Sequence, residues 1–491
     1  MAKNFILALD QGTTSSRSIL FDHGGNIIAS AQREFEQIYP QPGWVEHDPG
    51  AIWDTQLATA TEVLRKSGVQ PGEIAAIGIT NQRETTVIWE RKTGNPIHNA
   101  IVWQCRRTTE MCEQLTADGF AQTVTERTGL LVDAYFSGTK VAWILDKVPG
   151  ARDRAAKGEL CFGTVDSWLL YKLTGMHATD HTNACRTMLL NIHDLAWDPV
   201  ICDKLDIPEA MLPDIRPTSG VYGTTTLLGG EIPVAALVGD QQGALYGQAA
   251  FQERSCKNTY GTGCFLVMNI GEKPVPSKHG LLTTVAWTTE SERRYAMEGA
   301  IFVTGAVIQW LRDELRLISS APESERVAAE VPDTGGVYLV PAFTGLGAPH
   351  WDMRARGILT GLTRGTNRAH VVRAALESIS FQSADVVRTM EQDTGERILR
   401  LKVDGGACAN NLLMQHQADL LGVPVVRPKM IETTALGAAY HAGLAVGFWK
   451  SRDELANRWE EDRTFDPRWD AGQREAAFQG WQAAVARAKT H

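Results

Sequence analysis

Short apolar runs alternate along the chain with amphipathic stretches and polar turns, the pattern of a mixed α/β protein. Residues 5–9 are all apolar and predict a buried strand that ends at Asp10. Gly12 then turns the backbone, residues 18–21 predict the return strand of a hairpin, and residues 26–30 a third strand. Asp48 and Pro49 read as the cap and first turn of a helix that stops at Gly68. Residues 74–80 are nearly continuously apolar, as in a strand buried on both faces, and Asn81, Gln82, Arg83 and Glu84 follow its carboxyl end. A short strand is expected at 101–104, a helix at 138–147 capped by Ser137, and another helix at 168–173. Residues 174–218 read as irregular, with no function expected of them.

The opening pattern then returns. Residues 235–239 predict a strand, followed by Asp240, Gln241, Gln242, Gly243 and a small-residue helix at 244–250. Asp240 is placed for chemistry, although helix capping alone would account for it. Residues 255–268 read as strand, Gly261-Thr262-Gly263 turn, strand. One such hairpin in each half suggests an internal duplication. A helix from Gly305 through Gln309 and a long one at 369–392, stopped by Gly395, follow. A strand at 401–403 leads to Asp404-Gly405-Gly406 and a helix at 410–421. A small-residue helix spans 433–446, and the charged tail from Lys450 is expected to cover one face of the second half.

At 491 residues the chain exceeds one core, and two domains are expected, at 1–249 and 250–491. Hydrophobic content of 43% and charged content of 21% suit an ordinary globular protein, and a net charge of −9 argues against a nucleic-acid partner. Eight scattered cysteines form no Cys-x-x-Cys pair and no zinc spacing, which fits reduced thiols. No apolar run approaches the ~20 residues of a membrane span, and residues 5–9 are too few for a signal peptide. A cytoplasmic protein without membrane insertion is expected.

Thr13, Thr14, Ser15 and Ser16 surround the first turn with hydroxyls and N–H groups. Such a turn can cradle a phosphate while Asp10 holds a divalent cation through water. A tight hairpin whose hydroxyls satisfy their own backbone is the plainer alternative. The chain contains no Gly-Lys dipeptide for a Walker loop and no Gly-x-Gly-x-x-Gly fingerprint.

Taken in order, the Asp10 hairpin, the Asp240 strand end, the Gly261–Gly263 hairpin and Asp404-Gly405-Gly406 resemble the actin-like, ribonuclease-H-like ATPase fold. That fold is α/β, with two related domains and an active-site cleft between them. Residues 135–145, and 357–361 continuing to 374–377, resemble the signatures of the FGGY carbohydrate kinases, and the likeness runs from about residue 5 to 450. The wording at 10–17, 43–48, 78–86, 101–107, 258–265 and 341–349 is similar to members of that family whose acceptor is glycerol.

The resemblance implies transfer of the γ-phosphoryl group of ATP to glycerol, giving sn-glycerol 3-phosphate, with Mg²⁺ on the phosphates. It implies that Arg83, Glu84, Tyr135, Asp240 and Gln241 hold the glycerol hydroxyls, with Trp103 and Phe265 walling the carbon chain. Asp240 would be the general base, Asp10 and Asp240 would serve the metal, and Arg17 would meet the transferring phosphoryl group. Thr13, Thr14, Ser15, Arg17, Thr262, Gly305, Gln309, Gly406 and Asn410 would contact the nucleotide. A homo-oligomer, dimer or tetramer, is the expected assembly. Some members bind a sugar bisphosphate through basic residues in a longer loop, but residues 223–232 here contain no Lys or Arg. Others carry a phosphorylatable histidine where this chain has residues 219–221, Ser-Gly-Val, so neither control is expected. Three other readings stay open: a related polyol or ketose as acceptor, an actin-like chaperone or filament ATPase, and a glycerol sensor.

Overall fold

The first sheet grows from the opening hairpin. In the computed structural model, which describes residues 2–490, β1 (Phe5–Gln11) pairs antiparallel with β2 (Ser15–Asp22), and β2 with β3 (Ile27–Glu34). Strand β4 (Ile74–Asn81), buried at every position, lies parallel to β1 on its other side. The crossover that parallel pairing demands contains helix α1 (Pro49–Ser67). Asp48 caps it by accepting from Gly50 N at 2.8 Å, and Gly68 at φ 71° ends it. Strands β5 (Ser219–Thr225) and β6 (Ile232–Gly239) complete the order β5-β6-β4-β1-β2-β3, with β6 parallel to β4.

The second half repeats the plan. Strands β7 (Cys256–Tyr260), β8 (Cys264–Gly271), β9 (Leu282–Thr288), β10 (Arg293–Ile301), β11 (Leu401–Asp404), β12 (Val425–Pro428) and β13 (Glu461–Phe465) form a sheet of order β9-β10-β8-β7-β11-β12-β13. Without the outer strands, β3-β2-β1-β4-β6 and β10-β8-β7-β11-β12 match in order and direction. The hairpins are the repeat's visible trace in the sequence.

Helices then lock the halves together. Helix α2 (Asp240–Gly247) follows β6, and α3 (Gly305–Asp313), α4 (Arg368–Thr394) and α5 (Asn411–Leu421) belong to the second half. Helix α6 (Thr433–Ala445) crosses back to lie on β1, β4 and β6 and against α2. Its small residues permit the crossing: a Cβ at Gly437 would sit 1.9 Å from Gly243 O. Ile6, Ala8, Tyr246, Val267, Trp287, Ala439 and Trp449 form one apolar core that draws on both halves. Beyond it, β13 extends the second sheet and α7 (Ala471–Ala488) packs on α5, so the charged tail adds an edge strand as well as a cover.

The structure departs from expectation in three places. The strand expected at 101–104 is only Ala100–Ile101, because the chain turns at Val102, whose carbonyl accepts from Cys105 N at 2.9 Å. Ser137 is the first residue of the helix Ser137–Lys147, with Phe136 in the cap position. The stretch expected to be irregular holds the paired strands Ala178–Asp180 and Asp214–Arg216, each too short to show a period. Asp180 caps the short helix His181–Ala184 between them. Among the described residues no helix is long and apolar enough to cross a membrane, and all eight cysteines are buried and unpaired.

Candidate active site

Three neighbouring parallel strands of the first sheet end at one edge. Strand β1 carries Asp10, β4 leads into Arg83 and Glu84, and β6 delivers Asp240 as the first residue of α2. Register aligns them, with Asp10 opposite Thr80 and Gly239 opposite Asn81. Carboxyl ends of parallel strands are where such sheets form ligand sites.

Asp240 does not cap its helix; Gly239 holds that position. Its Oδ1 accepts from Gln241 N at 2.7 Å and lies 3.1 Å from Arg83 Nε, while Oδ2 has no partner among the described residues. The side chain keeps 31% of its surface open, yet burial still raises its carboxyl above the ordinary aspartate range, with Arg83 and Lys257 opposing. A raised carboxylate with one free oxygen is what proton abstraction needs.

Arg83 is 3% exposed and is held by more than Asp240. Its Nη1 and Nη2 donate to the two oxygens of Glu298 at 2.6 and 3.0 Å, and Nη1 also reaches Gln242 Oε1 at 3.2 Å. One Nη2 hydrogen is left for a ligand. Glu84 sits at φ 60°, an unusual conformation for a side chain of its kind, and accepts from Arg186 Nε at 2.7 Å through Oε1. Ser137 Oγ donates to the Glu84 carbonyl at 2.8 Å, which fixes this strained residue from the neighbouring helix. Burial raises the Glu84 carboxyl, with Arg186 and Arg83 opposing. Burial would also raise Glu298, but Arg186 and Arg83 outweigh it and hold that carboxyl down at about 2.

Aromatic side chains face this polar cluster. The Trp103 ring lies 5.7 Å from Tyr135 and 6.4 Å from Phe265, and the Arg83 guanidinium 5.9 Å from Phe265. Trp103 Nε1 donates to Thr13 Oγ1 at 3.0 Å, tying the wall to the first hairpin. The buried Lys140, lowered to about 8 by desolvation, donates to the carbonyls of Tyr135 and Phe136 at 2.5 and 3.1 Å. Lys257, also lowered to about 8 by burial, donates to Gln241 Oε1, to Thr259 Oγ1 at 2.9 Å and to Phe265 O at 3.2 Å. Each acceptor-side residue expected from the sequence therefore lies in one neighbourhood, and Arg83, Glu84, Trp103 and Gln241 each have a side-chain hydrogen bond to a second residue.

The nucleotide set divides in two. In the first domain, Arg17 sits opposite Asp10 in register and bonds its Oδ2 at 2.7 Å, and its other arm reaches Glu432 Oε2 at 2.6 Å. Thr14 is exposed at the turn, and Ser15 Oγ accepts from Gln32 Nε2 at 2.9 Å. In the second domain, Thr262, Gly305, Gln309, Gly406 and Asn410 line one cavity of about 340 Å³. It lies where β7 and β11 end side by side, with Ile308, Leu376 and Leu413 as apolar walls suited to a flat ring. A Cβ at Gly406 would meet nothing within 4 Å, so its missing side chain leaves room for a ligand. Asn410 caps α5 through Leu413 N at 2.9 Å and still lines the cavity.

Asp10 Oδ1 has no protein partner among the described residues, which also contain no group of three or more His, Cys, Asp or Glu able to hold a metal. A lone carboxylate with a free oxygen suits Mg²⁺, which keeps its waters and takes phosphate oxygens, better than a metal that demands a full protein cage.

Sequence reasoning missed Arg186, Gln242, Lys257, Glu298 and Glu432. Arg186 comes from the stretch taken as irregular. Glu298 carried the clearest signal: a lone carboxylate inside the apolar run of β10 must be paired when buried.

The chain matches the model of the FGGY family of carbohydrate kinases, N-terminal domain, over residues 5–247, and the C-terminal domain over residues 256–446. It is 61% identical to a glycerol kinase of Caldanaerobacter subterraneus subsp. tengcongensis, covering 99% of each chain. It is 60% identical to a glycerol kinase of Symbiobacterium thermophilum, covering 100% of this chain and 99% of the relative. The structure superposes on Plasmodium falciparum glycerol kinase with ADP at a TM-score of 0.94 and 35% identity, covering 100% of this chain and 99% of that one. The chain belongs to the FGGY family of carbohydrate kinases.

Proposed function

We propose that the chain transfers the γ-phosphoryl group of ATP to a terminal hydroxyl of glycerol, giving sn-glycerol 3-phosphate. The observation that carries the reading is the pairing of Arg83, Glu84, Asp240 and Gln241 with the Trp103, Tyr135 and Phe265 wall. Glycerol has a hydroxyl on each of three carbons, so its site needs polar groups on one side and apolar walls on the other. The relatives named above support the same acceptor.

In this reading residues 1–249 bind glycerol and the phosphates, and residues 250–491 supply the nucleotide cavity and, through Phe265, part of the glycerol wall. Arg83 donates and Glu84 accepts, a combination that fixes two vicinal hydroxyls. Asp240 Oδ2 takes the proton of the attacking hydroxyl, leaving an alkoxide-like oxygen aimed at the γ-phosphorus. The adenine side of ATP occupies the cavity at Gly406, and its phosphates reach across to Thr13, Thr14, Ser15 and Arg17. Asp10 is the residue for magnesium, which when bound neutralises the charge of the β- and γ-phosphate oxygens. Asp240 has one free oxygen, which the proton transfer uses, so it contributes charge to the metal and not a bond. Meeting of the two domains excludes water, which would otherwise compete for the phosphoryl group.

An acceptor panel of polyols and ketoses, with the product's phosphate position read by NMR, tests this. Phosphate on a terminal carbon of glycerol is the expected result. Preference for a longer polyol or a ketose would overturn the acceptor while keeping the reaction class.

A further inference from the structure

We propose that Glu298, carried by the second domain, is a positioning residue that holds the fork of Arg83 away from Asp240 and completes the acceptor site only when the two domains meet. The inference rests on the reading of Asp240 as the base. Both oxygens of Glu298 are engaged from the first domain: Arg83 Nη1 at 2.6 Å on Oε2, and Arg83 Nη2 at 3.0 Å with Arg186 Nη2 at 3.1 Å on Oε1. Arg186 Nε in turn donates to Glu84 Oε1 at 2.7 Å. Glu298 and Arg186 are wholly buried, so water screens none of these attractions.

Arg83 therefore stands among three carboxylates, Glu298, Asp240 and Glu84, the last with its Oε1 4.0 Å from Nε. Its fork makes a bidentate hydrogen-bonded pair with Glu298, the stronger geometry, whereas Nε only lies near Asp240 Oδ1, at 3.1 Å and without a hydrogen bond. While Glu298 takes the fork, the guanidinium charge is largely answered there and Asp240 keeps its basicity. Strand β10 belongs to the second sheet, whereas Arg83 and Arg186 precede it in the first half. Moving the domains apart would draw Glu298 away, and Arg83 would turn to Asp240, since Arg186 already holds the Glu84 oxygen nearest Arg83. The base would weaken until the cleft closed again. The other ionisable groups around Asp240 and Glu298 are Glu84, Tyr135, Arg186 and Lys257; the one further carboxylate, Glu84, lies 4.0 Å from Arg83 Nε through an oxygen that Arg186 Nε already holds at 2.7 Å.

The test is the pH profile of kcat with saturating glycerol and Mg-ATP in Glu298→Gln and Arg186→Gln. Glu298→Gln removes an anion near Asp240 and frees Arg83, so the acid limb moves to lower pH by about one unit. The plateau kcat falls about tenfold because the base is weaker. The KM for glycerol rises while that for ATP stays. Arg186→Gln removes a cation instead, so its acid limb moves to higher pH. Opposite shifts are the signature, since a merely structural residue would lower activity at every pH alike. An unmoved limb in Glu298→Gln, or shifts of the same sign in both variants, would overturn the proposal. If Glu298→Gln does not fold, with two buried guanidiniums facing a neutral amide, Arg186→Gln decides alone, and an unmoved or lowered limb counts against it. Absence of glycerol-dependent turnover in the unaltered protein is a separate failure, that of the acceptor reading, and is seen before either variant is made.

Discussion

Asp240 Oδ1 and Arg83 Nε lie 3.1 Å apart, and the proposed reaction gives the two residues different tasks. Asp240→Asn keeps the shape and removes the base, so kcat should fall by roughly 10²- to 10⁴-fold while nucleotide binding persists. Near-normal turnover would remove Asp240 from the mechanism. The sign of the pH dependence follows from its environment. A base must be ionised, and burial raises this carboxyl, so activity is lost as pH falls through a value above the aspartate norm of about 3.9. An acid limb at or below that norm would contradict the desolvated setting. Arg83→Ala should raise the KM for glycerol far more than that for ATP, because Arg83 lies against Glu84, Asp240 and Phe265 and does not line the nucleotide cavity. Equal effects on both constants would count against a direct acceptor contact.

Elements hold these residues by close approach. Helix α6 can cross α2 only because Gly247 and Gly437 lack side chains, with 1.9 Å left for a Cβ at each. Gly437→Ala should cost at least about 1–3 kcal/mol, read as a lower melting temperature, since the obstacle is backbone and cannot swing aside. Gly406 is the opposite case. Its missing side chain faces open space, so Gly406→Val should leave the fold intact and raise the KM for ATP, with glycerol affinity unchanged. A destabilised fold with normal ATP affinity would show that the space serves packing and not the ligand.

The elements that carry these residues were the ones most legible in the sequence. Strands β1, β4 and β6 each showed an apolar run ended by a polar residue, and the helix after Asp48 showed both its cap and its glycine stop. What was not legible was support from a distance. Arg186 sits beyond a strand of three residues, too short to show a period, and its partners Glu84 and Glu298 lie 102 and 112 residues away. Spacing along the chain carries no record of such pairs; only the buried charge inside β10 hinted that a partner existed. Ser137 illustrates the same limit. Its hydroxyl suits a helix cap, but the carbonyl of Glu84, 53 residues earlier, takes it instead.

At the scale of the whole molecule, the same strand plan is used twice and the two copies face different halves of one reaction. The first sheet's strand ends gather Asp10, Arg83 and Asp240, while the second sheet's gather the cavity at Thr262 and Gly406. Contacts such as Arg17 with Glu432 and Arg83 with Glu298 join the copies beside the site. Transfer requires both substrates aligned within one closed space, which a cleft between two bodies supplies by closing. Small-angle scattering should then show a smaller radius of gyration with glycerol and a non-hydrolysable ATP analogue together than with either alone. No change on adding both would argue that the cleft is preformed.

In the proposed reaction ATP is turned over because glycerol accepts its phosphoryl group. A coupled assay of ADP release from Mg-ATP, run with and without glycerol, tests it most directly. Release that depends on glycerol, with one phosphorylated acceptor formed per ADP, is the predicted result. Release that continues at the same rate without any acceptor would contradict it, and would leave the Arg83–Glu84 pair and its aromatic wall without a substrate.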